Sequence, residues 1–236
     1  MNFFDFTEKQ YIINPNHTDT SLTYFQDDTT HMVLNPSDII LAITNCNTDI
    51  RQQYIDADRY PAALIKNVPL KNLSGAVGEC FGQHLSLVTN TIQKNPHESG
   101  TPDFLPVVNK SVEWITTPTR DYYPYGGFDT KASYSKQLKF SEVSASSHHD
   151  KTSTVLVIQW AFQHQVPVII GIYYTNSLIP SDWKKTVGKP GSKTTNAAVL
   201  TATGKDKLRK GWVVLHHTVK LSKNKLITDQ YAHTPN

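Results

Sequence analysis

The sequence predicts a mixed α/β or α+β layered fold. Apolar residues recur at helical spacing between Leu73 and Ile92, whereas Thr154–Phe162 and Val166–Tyr174 are near-continuous Val/Ile runs of strand length. Shorter extended segments lie between them, bounded by Gly, Pro and Asn. A helix followed by four or five strands must bury one face of each in a shared core.

The 236 residues suffice for one domain spanning 1–236, with one substantial core and at most a short appended lobe. The chain is polar, at 38% hydrophobic residues, yet 4 Trp, 11 Tyr and 9 Phe supply the anchors that disordered chains lack. No uncharged apolar stretch approaches the ~18 residues of a membrane span, so no membrane association is expected. Met1-Asn2-Phe3-Phe4-Asp5 shows no basic segment followed by an apolar one, so no secretory signal is expected. Cys46 and Cys80 are too few for a disulfide framework or a thiolate zinc site, and both are read as reduced core residues. The expected compartment is the cytoplasm.

Taken in order, Met32-Val33-Leu34 reads as a short strand, Ile39–Ile43 as a helix or apolar segment opened by Pro36-Ser37-Asp38, and Asp49–Tyr60 as a further helix. In the helix over Leu73–Ile92, Leu73, Val77, Cys80, Phe81, His84, Leu85, Val88 and Ile92 form one broad face. Gly75, Gly78 and Gly82 lie on another side and permit close backbone approach. Asn95-Pro96 is the expected stop. Phe104–Val108 and Val112–Thr117 are strands suited to pairing across Asn109-Lys110, and the aromatic turn Asp121–Gly127 leads into a strand at Phe128–Tyr134. Gly188–Gly211, rich in Lys, Thr and Gly, reads as an exposed loop pair. Trp212–Leu221 alternates as a half-buried strand.

Charge is uneven. Residues 1–180 hold 12 Lys+Arg against 17 Asp+Glu, whereas residues 181–236 hold 11 against 3. A basic region at about 181–225 suits a polyanion, because neutralised phosphates release counterions. A solvated face that aids solubility is the plainer reading of the same residues.

Two short pieces carry candidate chemistry: Pro102-Asp103 before one strand, and Asp129-Thr130-Lys131 within another. Alternation along the second strand puts Asp129 and Lys131 on the same face, about 6.5 Å apart. Pairing of the two strands can set Asp103 beside Asp129. Two carboxylates can hold Mg²⁺ through oxygen, and a neighbouring lysine can orient water or offset charge on phosphorus. As a surface ion pair, Asp-x-Lys would contribute under about 1 kcal/mol. His148-His149-Asp150 reads as a solvated loop.

Those pieces resemble the PD-(D/E)xK nuclease superfamily, and type II restriction endonucleases in particular. The resemblance implies a restriction-endonuclease-like αβββαβ core at about residues 70–175, a mixed sheet with helices on both faces. It implies Asp103 and Asp129 as Mg²⁺ ligands and Lys131 as the catalytic lysine. Glu79, in Gly78-Glu79-Cys80-Phe81-Gly82, stands where family members add a metal-binding glutamate; an ordinary solvated helix residue is the other reading. The 25 residues between Asp103 and Asp129 exceed a tight hairpin, which departs from the simplest pattern.

The implied activity is site-specific hydrolysis of double-stranded DNA to 5′-phosphate ends, by a homodimer matching a palindromic site. A structure-specific repair nuclease and a non-catalytic DNA-binding module are the alternatives. Lys189, Ser192, Lys193, Thr194 and Asn196 are the candidate DNA contacts, with Tyr122 either a stacking or cleft-buttressing residue or a cover for the strand edge.

Overall fold

A computed structural model describes residues 10–17, 22–25, 31–56, 68–97, 100–107, 127–134, 144–145, 154–163, 166–186, 197–217, 219–222 and 225–227. The elements in order are β1 (Tyr11–Ile13), β2 (Leu22–Phe25), β3 (His31–Leu34), α1 (Pro36–Asp56) and α2 (Leu70–Val88). Next come β4 (Ile92–Lys94), β5 (Phe104–Pro106), β6 (Asp129–Tyr134), β7 (Ser144–Ala145), β8 (Val155–Gln163) and β9 (Val166–Thr175). The last are β10 (Trp183–Thr186), β11 (Ala197–Leu200), α3 (Ala202–Lys210), β12 (Trp212–His216), β13 (Lys220–Ser222) and β14 (Lys225–Ile227).

The main sheet runs β1-β12-β9-β8-β6 and is mixed: β6 lies parallel to β8, and every other neighbouring pair is antiparallel. Every residue of β8 is buried, as expected of a central strand covered on both faces. Its alternate side chains enter two separate cores. Leu156, Ile158, Trp160 and Phe162 join the core under α1 and α2, while Val155, Val157 and Ala161 join Trp183, Ala198, Leu200 and Leu208 on the other face. The mixed α/β class is therefore borne out, with α1 and α2 on one face and α3 on the other. The ladder between β8 and β9 shifts register after Gln159, where Ile170 is the extra residue. Gly171 follows it, and a Cβ there would lie 2.8 Å from Leu215.

Pro36 occupies the first helical position of α1 and Asp38 its first turn, both favourable at a helix start. Ile39, Ile43, Cys46, Asn47 and Ile50 make its buried stripe. The segments expected separately at 39–43 and from 49 are thus one helix, because the stripe continues without a break; residues 57–60 lie outside the described residues. Asn47 ties the layers together. Its Nδ2 donates to the Tyr11 hydroxyl at 2.8 Å, that hydroxyl donates to the Ile169 carbonyl at 2.8 Å, and Ile169 N donates to Asn47 Oδ1 at 2.9 Å.

α2 buries Leu73, Val77, Phe81 and Leu85. It ends at Val88, four residues short of the expected Ile92, because Thr89 turns extended and Ile92 enters β4. β5 pairs with β4, with Ile92 opposite Pro106 and Lys94 opposite Phe104. The expected partner segment 112–117 is outside the described residues. The region read as an exposed loop pair instead contains β11 and α3, whose Ala198, Leu200 and Leu208 are buried. Thr201 caps α3 by accepting from Gly204 N at 3.4 Å, and Gly211 closes it. A Cβ at Gly211 would lie 1.9 Å from the Tyr174 carbonyl oxygen, so the helix can end there only on glycine. The strand expected over 212–221 stops at His216. Cys46 and Cys80 are free thiols, the first buried and the second half-buried. Among the described residues, no helix is long and apolar enough to cross a membrane.

Candidate active site

A glycine begins the site. Gly127 has φ +121°, in the region that favours glycine, and a Cβ there would come 2.2 Å from the Phe104 carbonyl oxygen. The chain can therefore press against β5 and place Phe128 opposite Phe104. The two residues exchange backbone hydrogen bonds of 3.1 Å each way, and their rings stack at 5.1 Å. Asp103 and Asp129, each the chain neighbour of a bridged phenylalanine, leave this antiparallel bridge side by side.

The loop that delivers Asp103 is tied down by Asn95, which is 8% exposed. Its Nδ2 donates to the Pro102 carbonyl at 2.9 Å, its Oδ1 accepts from His97 N at 2.9 Å, and its own N–H donates to the Asp103 carbonyl at 2.9 Å. Asp103 Oδ2 then accepts from both Thr130 N at 2.7 Å and Thr130 Oγ1 at 2.9 Å. Because β6 is the edge of the main sheet, Thr130 N–H faces away from β8, and the Asp103 carboxylate occupies that open edge.

Lys131 completes the cluster. Its Nζ lies 4.0 Å from Asp103 Oδ2 and 3.8 Å from Asp129 Oδ2, so one ammonium stands between two carboxylates from adjacent strands. The Asp129 side chain is 8% exposed, against 37% for Asp103 and 29% for Lys131. One carboxylate is thus enclosed by protein while its partner opens to solvent, a difference that lets incoming water or ligand reach the pair from the Asp103 side. The alternation expected along Phe128–Tyr134 is observed. Asp129 and Lys131 are in register with Val155 and Val157 on one sheet face, and Thr130 and Ala132 with Leu156 and Ile158 on the other.

Glu79 stands apart from this group. α2 packs over the Thr130–Ala132 face, with a Cβ at Gly78 meeting Ala132 at 3.4 Å, so Glu79 approaches from the face opposite Asp129. Its carboxylate is ion-paired to Lys94. Glu79, Lys94, Asp103 and Lys131 nevertheless line one cleft of about 370 Å³ between α2 and the β4–β6 edge. Among the described residues, no three His, Cys, Asp or Glu side chains gather as a metal-binding group. Lys189, Ser192, Lys193, Thr194, Asn196 and Tyr122 lie outside the described residues, as do His148, His149 and Asp150.

Sequence reasoning missed Thr130 and Asn95. Alternation along the strand turns Thr130 away from Asp129 and Lys131, and Asn95 enters the sequence reading only as part of a helix stop. The available signal for Asn95 was Gly100, whose hydrogen faces the Asn95 side chain so closely that a Cβ would come within 2.4 Å of it. No protein-family model, no curated protein and no solved structure matches the chain.

Proposed function

We propose that this protein is a Mg²⁺-dependent, site-specific endonuclease of double-stranded DNA, a type II restriction enzyme that acts as a homodimer in the cytoplasm of a prokaryotic cell. The observation that carries the reading is the Lys131 ammonium held between carboxylates from two neighbouring strands. Such a set suits a hard cation: Mg²⁺ typically takes one or two carboxylates and completes its shell with water and substrate phosphate, so a third protein ligand is not required. Asp103 and Asp129 would hold it. When bound, the ion polarises a phosphoryl oxygen and acidifies a bound water.

The protein's own groups do the rest. Thr130 fixes Asp103 with two hydrogen bonds to one oxygen and leaves the other oxygen for a ligand. Packing around Asp129 holds the second carboxylate in place before substrate arrives. Lys131 supplies positive charge where the phosphoryl group gains negative charge in the transition state, and its N–H groups can orient the attacking water. That water adds its oxygen to phosphorus, releasing a proton to solvent, as the P–O3′ bond breaks. The products are a 5′-phosphate and a 3′-hydroxyl, the leaving oxygen taking its proton from solvent.

Digestion of several long DNAs with and without Mg²⁺, followed by end mapping, tests this reading. The parent should give defined fragments that EDTA abolishes. Asp103→Asn and Asp129→Asn should lose about 10³-fold or more in single-turnover rate at saturating DNA, and Lys131→Ala roughly 10²–10³-fold. Structure-selective nicking would point instead to a repair nuclease. Metal-independent binding without any product would leave a DNA-binding module whose Asp–Lys–Asp cluster is structural.

A further inference from the structure

The cleft that holds Asp103 and Lys131 carries two more lysines that the chemistry above does not use. Lys71 lies in the first turn of α2, which has no acidic residue and no side-chain cap. A cation there is opposed by the helix dipole, and Lys71 has no acidic partner among the described residues. Both effects raise the positive potential at that end of the cleft. Lys94 comes from β4, and its pair with Glu79 is open to water, the two side chains being 47% and 71% exposed. An exposed pair of this kind contributes at most about 1 kcal/mol, so a phosphate can take Lys94 from Glu79 at little cost.

Glycines line part of the cleft wall. A Cβ at Gly75 would meet nothing within 4 Å, whereas farther along the same helix face Gly78 packs on Ala132 and Gly82 on Phe104. The space of about 370 Å³ equals a sphere roughly 9 Å across, while a nucleic-acid strand carries one charge per about 3.4 Å of rise. The cleft therefore has room for more than the single phosphate that Asp103 and Lys131, the two members of the cluster that line it, would engage.

We propose that Lys71 and Lys94 form a second phosphate subsite, gripping the phosphate next to the scissile one while the open face of α2 at Gly75 admits the sugar–phosphate backbone. This inference rests on the nuclease reading for the identity of the strand. It assigns Lys94 a role in substrate binding and Glu79 the role of a counter-ion that holds Lys94 until DNA arrives.

The test is fluorescence anisotropy of a labelled DNA duplex with the full chain in EDTA, across roughly 50–200 mM salt. In the Lys71→Gln/Lys94→Gln double variant, the slope of log K against log salt should shrink by about 2 in magnitude, with weaker binding on every sequence. Lys71→Arg/Lys94→Arg should restore the slope. Gly75→Leu, whose side chain projects into open space and so leaves the fold intact, should weaken binding at least tenfold. A slope equal to the parent's in the double Gln variant, or parental affinity in Gly75→Leu, overturns the subsite. Mg²⁺ digestion by the parent separates the two claims. Cleavage with an unchanged slope removes the subsite and keeps the nuclease; a lost slope without any cleavage keeps the phosphate grip and removes the nuclease. A parent that does not bind DNA removes both.

Discussion

His216 is 3% exposed at the end of β12, its ring edge-on to Tyr11 at 5.4 Å and 4.6 Å from the ring of His217, with Nε2 facing Gln10 Oε1 at 3.3 Å. Burial, and then the neighbouring His217, pull its pKa down to about 4 from the 6.5 of an unfolded chain. Between those values the unfolded state binds the extra proton, so stability rises with pH. The contribution is complete above about pH 6.5 and is lost as pH falls towards 4. Urea midpoints measured from pH 7 to pH 4 should drop by an amount equivalent to roughly 3 kcal/mol, and His216→Gln should flatten that limb. An unchanged acid limb in the variant would place the sensitivity elsewhere. Single residues also show how far a sequence reveals a site. Strand alternation placed Asp129 and Lys131 on one face, and strand pairing placed Asp103 beside them. No periodicity could show that the Thr130 side chain, the middle of the triplet, would bond back to Asp103, because that contact depends on a free sheet edge. Nor could it show Lys94 taking Glu79, since β4 was read as the end of a helix.

At the scale of elements, α2 sets the width of the cleft. Gly82 is buried, and a Cβ there would sit 3.0 Å from Cζ of Phe104, whose ring stacks on Phe128. Helix propensity alone would make Gly82→Ala stabilising by about 1 kcal/mol. Overpacking should win here, because Phe104 is 2% exposed and its ring is already stacked on Phe128. The expected result is a net loss of about 1–3 kcal/mol in urea denaturation and, on the nuclease reading, a fall in cleavage rate as the Phe104–Phe128 bridge shifts. A variant more stable than its parent would show that Phe104 relaxes freely. The elements legible in sequence were those whose pattern is self-sufficient. β8 and β9 are long and apolar, and the Leu73–Leu85 stripe of α2 is regular. α3 was missed because nine residues with a mostly polar surface offer little periodicity, although Thr201 before it, Lys207, Arg209 and Lys210 in its last turn, and Gly211 after it are the signals of a short capped helix. The end of α2 was misplaced because Ile92 continues the helical spacing by chance while pairing with Pro106 across a strand.

At the scale of the whole molecule, the position of the Asp–Lys–Asp cluster sets what a nuclease reading expects. Among the described residues, Asp103, Asp129 and Lys131 are the one group in which an ammonium bridges carboxylates of adjacent strands. It lies at one edge of the main sheet, on β6 and the neighbouring β5, while the opposite edge is β1. On the nuclease reading, one such cluster engages one scissile phosphate at a time, and the two strands of a duplex run in opposite directions. Cutting both therefore demands either two copies related by a two-fold axis or one copy that releases, turns and binds again. The two routes differ in kinetics. With supercoiled plasmid carrying one site, a dimer converts circles directly to linear DNA, whereas a monomer accumulates nicked circles first. The homodimer reading expects linear product without a nicked phase, together with a sedimenting mass near twice 26.5 kDa on DNA. Mixing parent with excess Asp129→Asn protein should then shift the product towards nicked circles, because each mixed dimer keeps one working cluster. Nicked circles from the parent alone at every protein concentration would exclude the paired arrangement and favour a nuclease that acts on one strand.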